Sequence, residues 1–397
     1  MRSGLLFALG WLLLVLPELL RIYFIMPFPG SQLNNTVDIA YFLHSYILFF
    51  RIAGIGMIII SFYQLIAKGK WWQKIITVFF AGIAGIVLYM TTQVMQADKM
   101  FLVPEHKIFL KASNNSVDLN QLVIGTEING QSSCYPIQII GYHHQVNDTV
   151  GGVPLLATYC TVCRTGRLYS PLIDGKFQQF RLVGMDNFNA MLEDQITKSW
   201  WRQENGEAVA GSQKGKFLTE LPSQQMTLRS WIGMHPDTRI LQADPDFTSE
   251  YATLSGYDEG TIGGNLEGTA STSWQPKSWV IGITSGDSAR AYDWIELKNL
   301  TPLNDMLNSI PVLIVIEKDM MSFHAWNRSV NGNTLQFNRI DSLNLIYDSK
   351  TNSAWNYEGE CVAGPLSSYK LLKVPAYQEF WHSWQKFHPK TTKYVGP

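Results

Sequence analysis

Charge is scarce in this sequence. Asp, Glu, Lys and Arg make up 16% of its 397 residues, against about 25% in an ordinary soluble domain. The formal net charge is −1, which excludes the basic footprint of a nucleic-acid binder. Four cysteines are too few for a disulfide scaffold. Several catalytic signatures are absent as well. There is no Gly-x-Ser-x-Gly elbow and no His-Glu-x-x-His helix. Gly263-Gly264 is not followed by the Gly-Lys-Ser/Thr of a phosphate loop. A hydrophobic share of 46% excludes a disordered chain.

What abounds is apolar sequence at the start. Three segments, about 4–26, 39–66 and 75–95, each reach the ~20 residues that cross a bilayer core. The first lacks a small-residue cleavage site and two more spans follow it, so it does not read as a signal peptide. Residues 1–97 hold six Lys or Arg against Glu18 and Asp38, a net of +4, and leave 25 against 30, a net of −5, beyond. Arg2 precedes the first span, and Lys68, Lys70 and Lys74 separate the second from the third. Positive loops stay cytoplasmic. The N-terminus is therefore expected inside a bacterial inner membrane, with everything after Ala97 outside it, in the periplasm. Trp71-Trp72 reads as an interfacial anchor. Glu18 and Arg21 are one helical turn apart and are expected to pair as a structural bridge. An ion path that also uses Arg51 is the alternative. The expected partners are the lipid bilayer and a membrane protein, with no nucleic acid.

The remaining ~300 residues are enough for two cores, and they contain a repeat. At a shift of 157, Val123-Ile124-Gly125 falls on Val280-Ile281-Gly282, and Tyr135 on Tyr292. Asn147-Asp148 falls on Asn304-Asp305, and Phe180 on Phe337. At 154, Asp194, Thr197 and Ser199 meet Asp348, Thr351 and Ser353. At 153, Gly206-Glu207 meets Gly359-Glu360, and Trp231 with His235-Pro236 meets Trp384 with His388-Pro389. The units are about 120–241 and 277–397. Val153–Tyr159, Lys176–Val183 and Ala190–Trp201 carry strand composition, punctuated by Asp174-Gly175 and Asn331-Gly332 turns. Short helices are expected over Thr227–Met234 and Ala376–Phe387, each stopped at a His-Pro pair.

The predicted fold class is three transmembrane α-helices followed by a mainly β (α+β) extracytoplasmic region of two tandem homologous repeats, each ending in a short helix. The domains are 1–97 in the membrane, 98–241 as first repeat, 242–276 as connector and 277–397 as second, degenerate repeat.

These residues also carry a resemblance. Asn147-Asp148-Thr149-Val150-Gly151-Gly152-Val153-Pro154 leads into Tyr159-Cys160-Thr161-Val162-Cys163, then Ser199–Trp201, the Gly206–Gly211 run and Trp231 to Thr238. This series resembles the bacterial family called domain of unknown function DUF3179, over about 120–395. The resemblance implies an extracytoplasmic setting and brings no established activity. The family reads Tyr-Cys-Pro-Leu-Cys-Gly, which is similar to half of a zinc knuckle. Here Thr161 stands for the proline and Arg164 for the glycine. The family's His-Glu slot before the Asn-Asp pair is His143-His144.

Cys160 and Cys163 at Cys-x2-Cys spacing can grip a metal ion or form a redox or static disulfide. His143 and His144 are the nearest further ligands, with His235 less favoured, and the set would suit zinc, copper or iron. At the 157 shift, Cys160 and Cys163 fall on Glu317 and Met320, and His143-His144 on Leu300-Thr301. The first repeat is therefore expected to hold the chemistry. His235 and His388, present in both, read as helix-end residues. Arg164 and Arg167 flank the thiols, as ordinary surface arginines or as groups that lower a thiol pKa or receive an anion. Asp148 and Glu207 recur as Asp305 and Glu360, which favours a turn role for the one and a tight β element for the other. Cys134 and Cys361 stand alone and are expected to pack as small hydrophobes. The functional expectation is an envelope protein with a metal-binding or thiol-redox site in the first repeat. The alternative is a non-catalytic binding or assembly module.

Overall fold

The computed structural model describes residues 2–396, without the side chain of Arg2 that entered the topology argument. The chain forms two compact units. One comprises Met1–Leu102, Gln178–Arg202 and Glu207–Phe217; the other comprises Val103–Phe177, Gln203–Gly206 and Leu218–Pro397. The first part of the chain is helical and the remainder mainly β with short helices.

In the helical unit, α1 spans Arg2–Ile25, α2 Val37–Ser45, α3 Ile47–Lys68 and α4 Trp71–Tyr89. Three stretches, Ser3–Ile25, Ile47–Lys68 and Trp71–Val94, are long and apolar enough to cross a membrane. The segment expected at 39–66 is not one helix. It breaks at Tyr46, which leaves helical geometry at φ −102 and ψ 10. A π turn over Met90–Val94 extends α4. Glu18 is fully buried. Arg21 Nε donates to Glu18 Oε2 at 2.9 Å, Arg51 Nε to Oε1 at 2.5 Å, and Thr91 Oγ1 to Oε2 at 3.0 Å. The carboxylate therefore ties three helices, as a paired charge in an apolar setting must.

The same unit holds an antiparallel four-stranded meander of Phe180–Asp186, Asn189–Asp194, Trp200–Arg202 and Ala208–Ala210. The expected single strand Ala190–Trp201 is two strands, because Asp194 turns the chain. Its carboxylate accepts from Thr197 N and Oγ1 and from Ser199 N. Lys176–Val183 is likewise divided, since Lys176–Phe177 closes a hairpin with Leu172–Ile173. Val183, Met191, Trp200, Val209 and Ala210 share a buried cluster with Ile25, Val37 and Ala40. Gly184 lies against α1: a Cβ there would be 2.3 Å from the Ile25 carbonyl oxygen.

In the β unit, one sheet centres on the hairpin Leu122–Ile128 and Gln131–Pro136. Gln224–Thr227 joins one side antiparallel, and Arg239–Leu241 joins the other parallel. A second sheet centres on Trp279–Ser285 and Ser288–Asp293, with Ala376–Phe380 antiparallel and Thr391–Lys393 parallel. The pairing order is the same. Each hairpin has a glycine under a tryptophan. A Cβ at Gly125 would be 2.5 Å from the Trp231 ring, and one at Gly282 2.2 Å from the Trp384 ring. The first terminal helix runs Leu228–Met234, with Thr227 as its N-cap. The second is shorter than expected. Ala376–Phe380 is strand and only Trp381–Phe387 is helix, since pairing with Trp279–Ile283 satisfies those backbone groups. The connector is no loose linker, because Phe247, Tyr251, Leu254 and Tyr257 enter the core around Tyr159.

Candidate functional site

Cys160 ends the strand Val153–Cys160, and Cys163 lies in the turn before Thr165–Tyr169. Both are buried thiols. Burial, and then the neighbouring Cys160, push the Cys163 thiol well up, away from the thiolate that a nucleophile needs. The turn is clasped by the second sheet. Val162 O accepts from Lys277 Nζ at 2.6 Å and from His382 Nε2 at 3.1 Å, and Cys163 O accepts from Phe380 N at 2.9 Å. Burial, and then Lys277, push the His382 imidazole down to about 4, so it donates as the neutral ring.

The flanking arginines are not on the surface. Arg164 is fully buried at φ +57, a left-handed position that glycine adopts most readily. Its guanidinium lies 3.6 Å from the Trp279 ring centroid. It donates to Gln378 Oε1 at 2.9 Å, Tyr257 O at 3.0 Å and Asp258 O at 3.1 Å. Arg167 stacks on Tyr377, donates to Glu379, and has Glu204 at 3.6 Å and Glu220 at 3.7 Å. Both arginines fasten one sheet system to the other.

The histidines go elsewhere. His143 Nε2 is 2.7 Å from Tyr251 Oη, and His144 Nδ1 donates to Tyr159 O at 2.8 Å. Burial pushes His144 down to about 4. Among the described residues, one group of three side chains could hold a metal ion: Glu105, His106 and Asp246, all exposed. Neither the thiols nor His143 and His144 belong to it. Asp148 sits within a strand, not a turn. It accepts from Tyr135 Oη at 2.9 Å and Arg239 Nη2 at 3.1 Å. Asp305 accepts from Tyr292 Oη at 2.8 Å and Arg290 Nη1 at 2.6 Å. Arg239 pairs in register with Ser133, and Arg290 with Thr392. The same Tyr–Asp–Arg set is thus built with the arginine on opposite members of the strand pair. Glu207 takes a 2.5 Å bond from Arg202.

Side chains with room for a ligand meet in a cavity of about 560 Å³ where the two sheet systems of the β unit adjoin. His235 lines it. Its ring stacks on Trp231 at 4.0 Å, its Nδ1 is 3.3 Å from Glu127 Oε2, and its Nε2 has no hydrogen-bond partner. Burial lowers this imidazole against the pull of Glu127. Glu220 and Lys373 line the cavity too. Burial holds the Glu220 carboxyl above its ordinary value, although Arg167 and the Tyr377 hydroxyl draw it down. Burial, and then Lys370, hold the Lys373 ammonium below its own. His324, also on the wall, has its Nε2 2.6 Å from Glu317 Oε1. A carboxyl and an ammonium both shifted toward the neutral form, lining one cavity with an imidazole that has a carboxylate 3.3 Å away, suit proton transfer.

Sequence reasoning set His235 aside as a helix-end residue and missed Glu127, Glu220, Lys373 and His324. A signal was present. Glu220 falls on Lys373 at the 153 shift, and Cys160 and Arg167 fall on Glu317 and His324 at 157. These are aligned positions that differ in charge or chemistry.

A family model described as "Protein of unknown function (DUF3179)" matches residues 105–391. No curated protein and no solved structure matches the chain.

Proposed function

The chain belongs to the DUF3179 family, whose description assigns no activity, and from that premise we propose a membrane-anchored, extracytoplasmic protein that binds a small polar ligand in this cavity. Three helices anchor it, with the N-terminus and the Lys68–Lys74 loop cytoplasmic and the β unit outside. The two sheet systems are diverged copies. The shared pairing order, the Gly–Trp contacts and the relocated arginine support that descent. In this reading, divergence made unlike walls for one cavity.

One observation carries the proposal: His235 with its Glu127 partner, Glu220 and Lys373 all line one cavity. His235 takes or gives a proton at Nε2, oriented by Glu127. Glu220 serves as the acid and Lys373 as a cation that gives up its charge readily. The metal or redox reading of Cys160 and Cys163 is less well supported. Their burial favours a place in the seam, and among the described residues they belong to no group of three that could hold a metal ion.

The test is a thermal-shift screen of polar metabolites on the full chain in detergent. A ligand should raise the melting temperature of the wild type but not of His235→Ala or Glu220→Gln variants that melt normally without it. A ligand recovered unchanged makes the protein a binding module, and a converted one makes it an enzyme. Equal stabilisation of wild type and both variants would overturn the site.

A further inference from the structure

We propose that the turn Gln195–Lys198 of the meander in the helical unit is a foot on the lipid surface, with Ile196 at the headgroup–acyl boundary and Lys198 at the phosphates. This rests on the membrane reading above. Arg181 and Glu193 are cross-strand partners joined at 2.9 Å. Arg181 also reaches Asp98 at 3.3 Å and His44 at 3.4 Å, and His44 is 3.4 Å from Glu193. His44 lies in the last turn of α2, directly before α3, and Asp98 follows shortly after the third membrane-length helix. This end of the hairpin therefore meets the helices where two candidate spans emerge.

The next four residues form the turn. It is held from within by the Asp194 carboxylate, and Lys198 takes the left-handed φ of +57. A rigid, exposed turn calls for polar residues, yet Ile196 stands 61% exposed on it. The β unit supplies a control. Ser349–Asn352 has the same construction: Asp348 accepts from Thr351 and Ser353, and Asn352 has φ +54. There Lys350 occupies the place of Ile196 at the 154 shift. The apolar tip thus occurs on the turn attached to the membrane-length helices and not on its counterpart. An exposed branched apolar side chain two residues from a lysine fits an interfacial contact, with the ammonium at the phosphate level.

The test uses the full chain in liposomes, with an environment-sensitive fluorophore on a cysteine introduced at position 196, 59 or 350. The unmodified chain, whose four thiols are buried, serves as the labelling blank. Ile59 on α3 is 63% exposed and reports on the bilayer itself, and Lys350 is exposed on the counterpart turn of the β unit. Probes at 59 and 196 should emit at shorter wavelength and be quenched by nitroxide lipids. Headgroup-level nitroxides should act most strongly at 196, and the probe at 350 should behave as in water. Quenching at 59 with an aqueous probe at 196 would overturn the foot. An unquenched probe at 59 would overturn the membrane reading, and the foot with it.

Discussion

Two meanders of one design have different fates in this molecule. The first, Phe180–Ala210, packs in one unit with the helices; the second, Phe337–Ala363, stays with the β unit. Both turn on a buried aspartate that caps a Thr-x-Ser segment. They differ in what covers them. Val209 is 9% exposed, and Val362, its partner at the 153 shift, is 50% exposed. Where the first has the pair Arg181–Glu193, the second has Arg339 stacked on Tyr347 at 3.5 Å. Local construction is set by a few polar residues, whereas burial is set by whichever surface the strands meet.

The comparison can be broken most sharply at Trp200. Its ring meets Tyr41 edge-on at 5.1 Å, and its indole donates to Glu193 at 2.9 Å. Trp200→Ala should cost about 3–5 kcal/mol, whereas Val362→Ala should stay within about 0.5 kcal/mol, by denaturant melts in detergent. Equal costs would mean that the helices do not hold the first meander. Next, Asp194→Ala and Asp348→Ala should each cost about 2–3 kcal/mol. Unequal costs would show that the shared turn is not doing the same job twice.

Acid separates the meanders further. Burial pushes the Glu193 carboxyl up, but bonds from His44, Arg181 and the Trp200 indole bring it to about 2 from an ordinary 4.5. A depressed carboxyl stabilises the fold above its unfolded value and loses that contribution as pH falls toward the folded one. Docking of the first meander should therefore weaken between pH 4.5 and 2, read by Trp200 fluorescence. Tyr347 stands where Glu193 would, so the second meander lacks that buried carboxyl. The seam of the β unit behaves oppositely. Burial raises Glu379 from 4.5 to about 7 against the pull of Arg167. That contribution is present at low pH and is lost as pH rises from 4.5 through 7. Glu379→Gln should flatten this limb of the melting profile. The smallest effect concerns the thiols. Cys160 and Cys163 should react with a thiol reagent only after unfolding, and their exchange to serine should leave metal content unchanged. Prompt reaction, or a metal lost with the cysteines, would return chemistry to that turn.

Much was legible in sequence where the signal is local. Length and apolarity located the membrane-length helices, and the His-Pro pairs marked where the two terminal helices stop. Asp194 and Asp348 aligned as a pair because their turns are built from neighbours in the chain. The candidate site was not legible, since its groups come from far apart. Glu127, Glu220, His235 and Lys373 meet only once Gln224–Thr227 and Ala376–Phe380 lie on their hairpins. Arg164 and Arg167 read as surface residues because nothing nearby in sequence forecasts their partners Trp279, Gln378 and Glu379.

Short stretches of chain were enough for the three apolar helices, the mainly β remainder and the family, because periodicity, composition and motif order are local properties. Tertiary structure alone decided which meander the helices would cover, which histidine would line a cavity, and that Cys160 and Cys163 would be sealed into a seam. Those outcomes depend on burial and on charges brought together over long loops, which no single stretch of chain encodes.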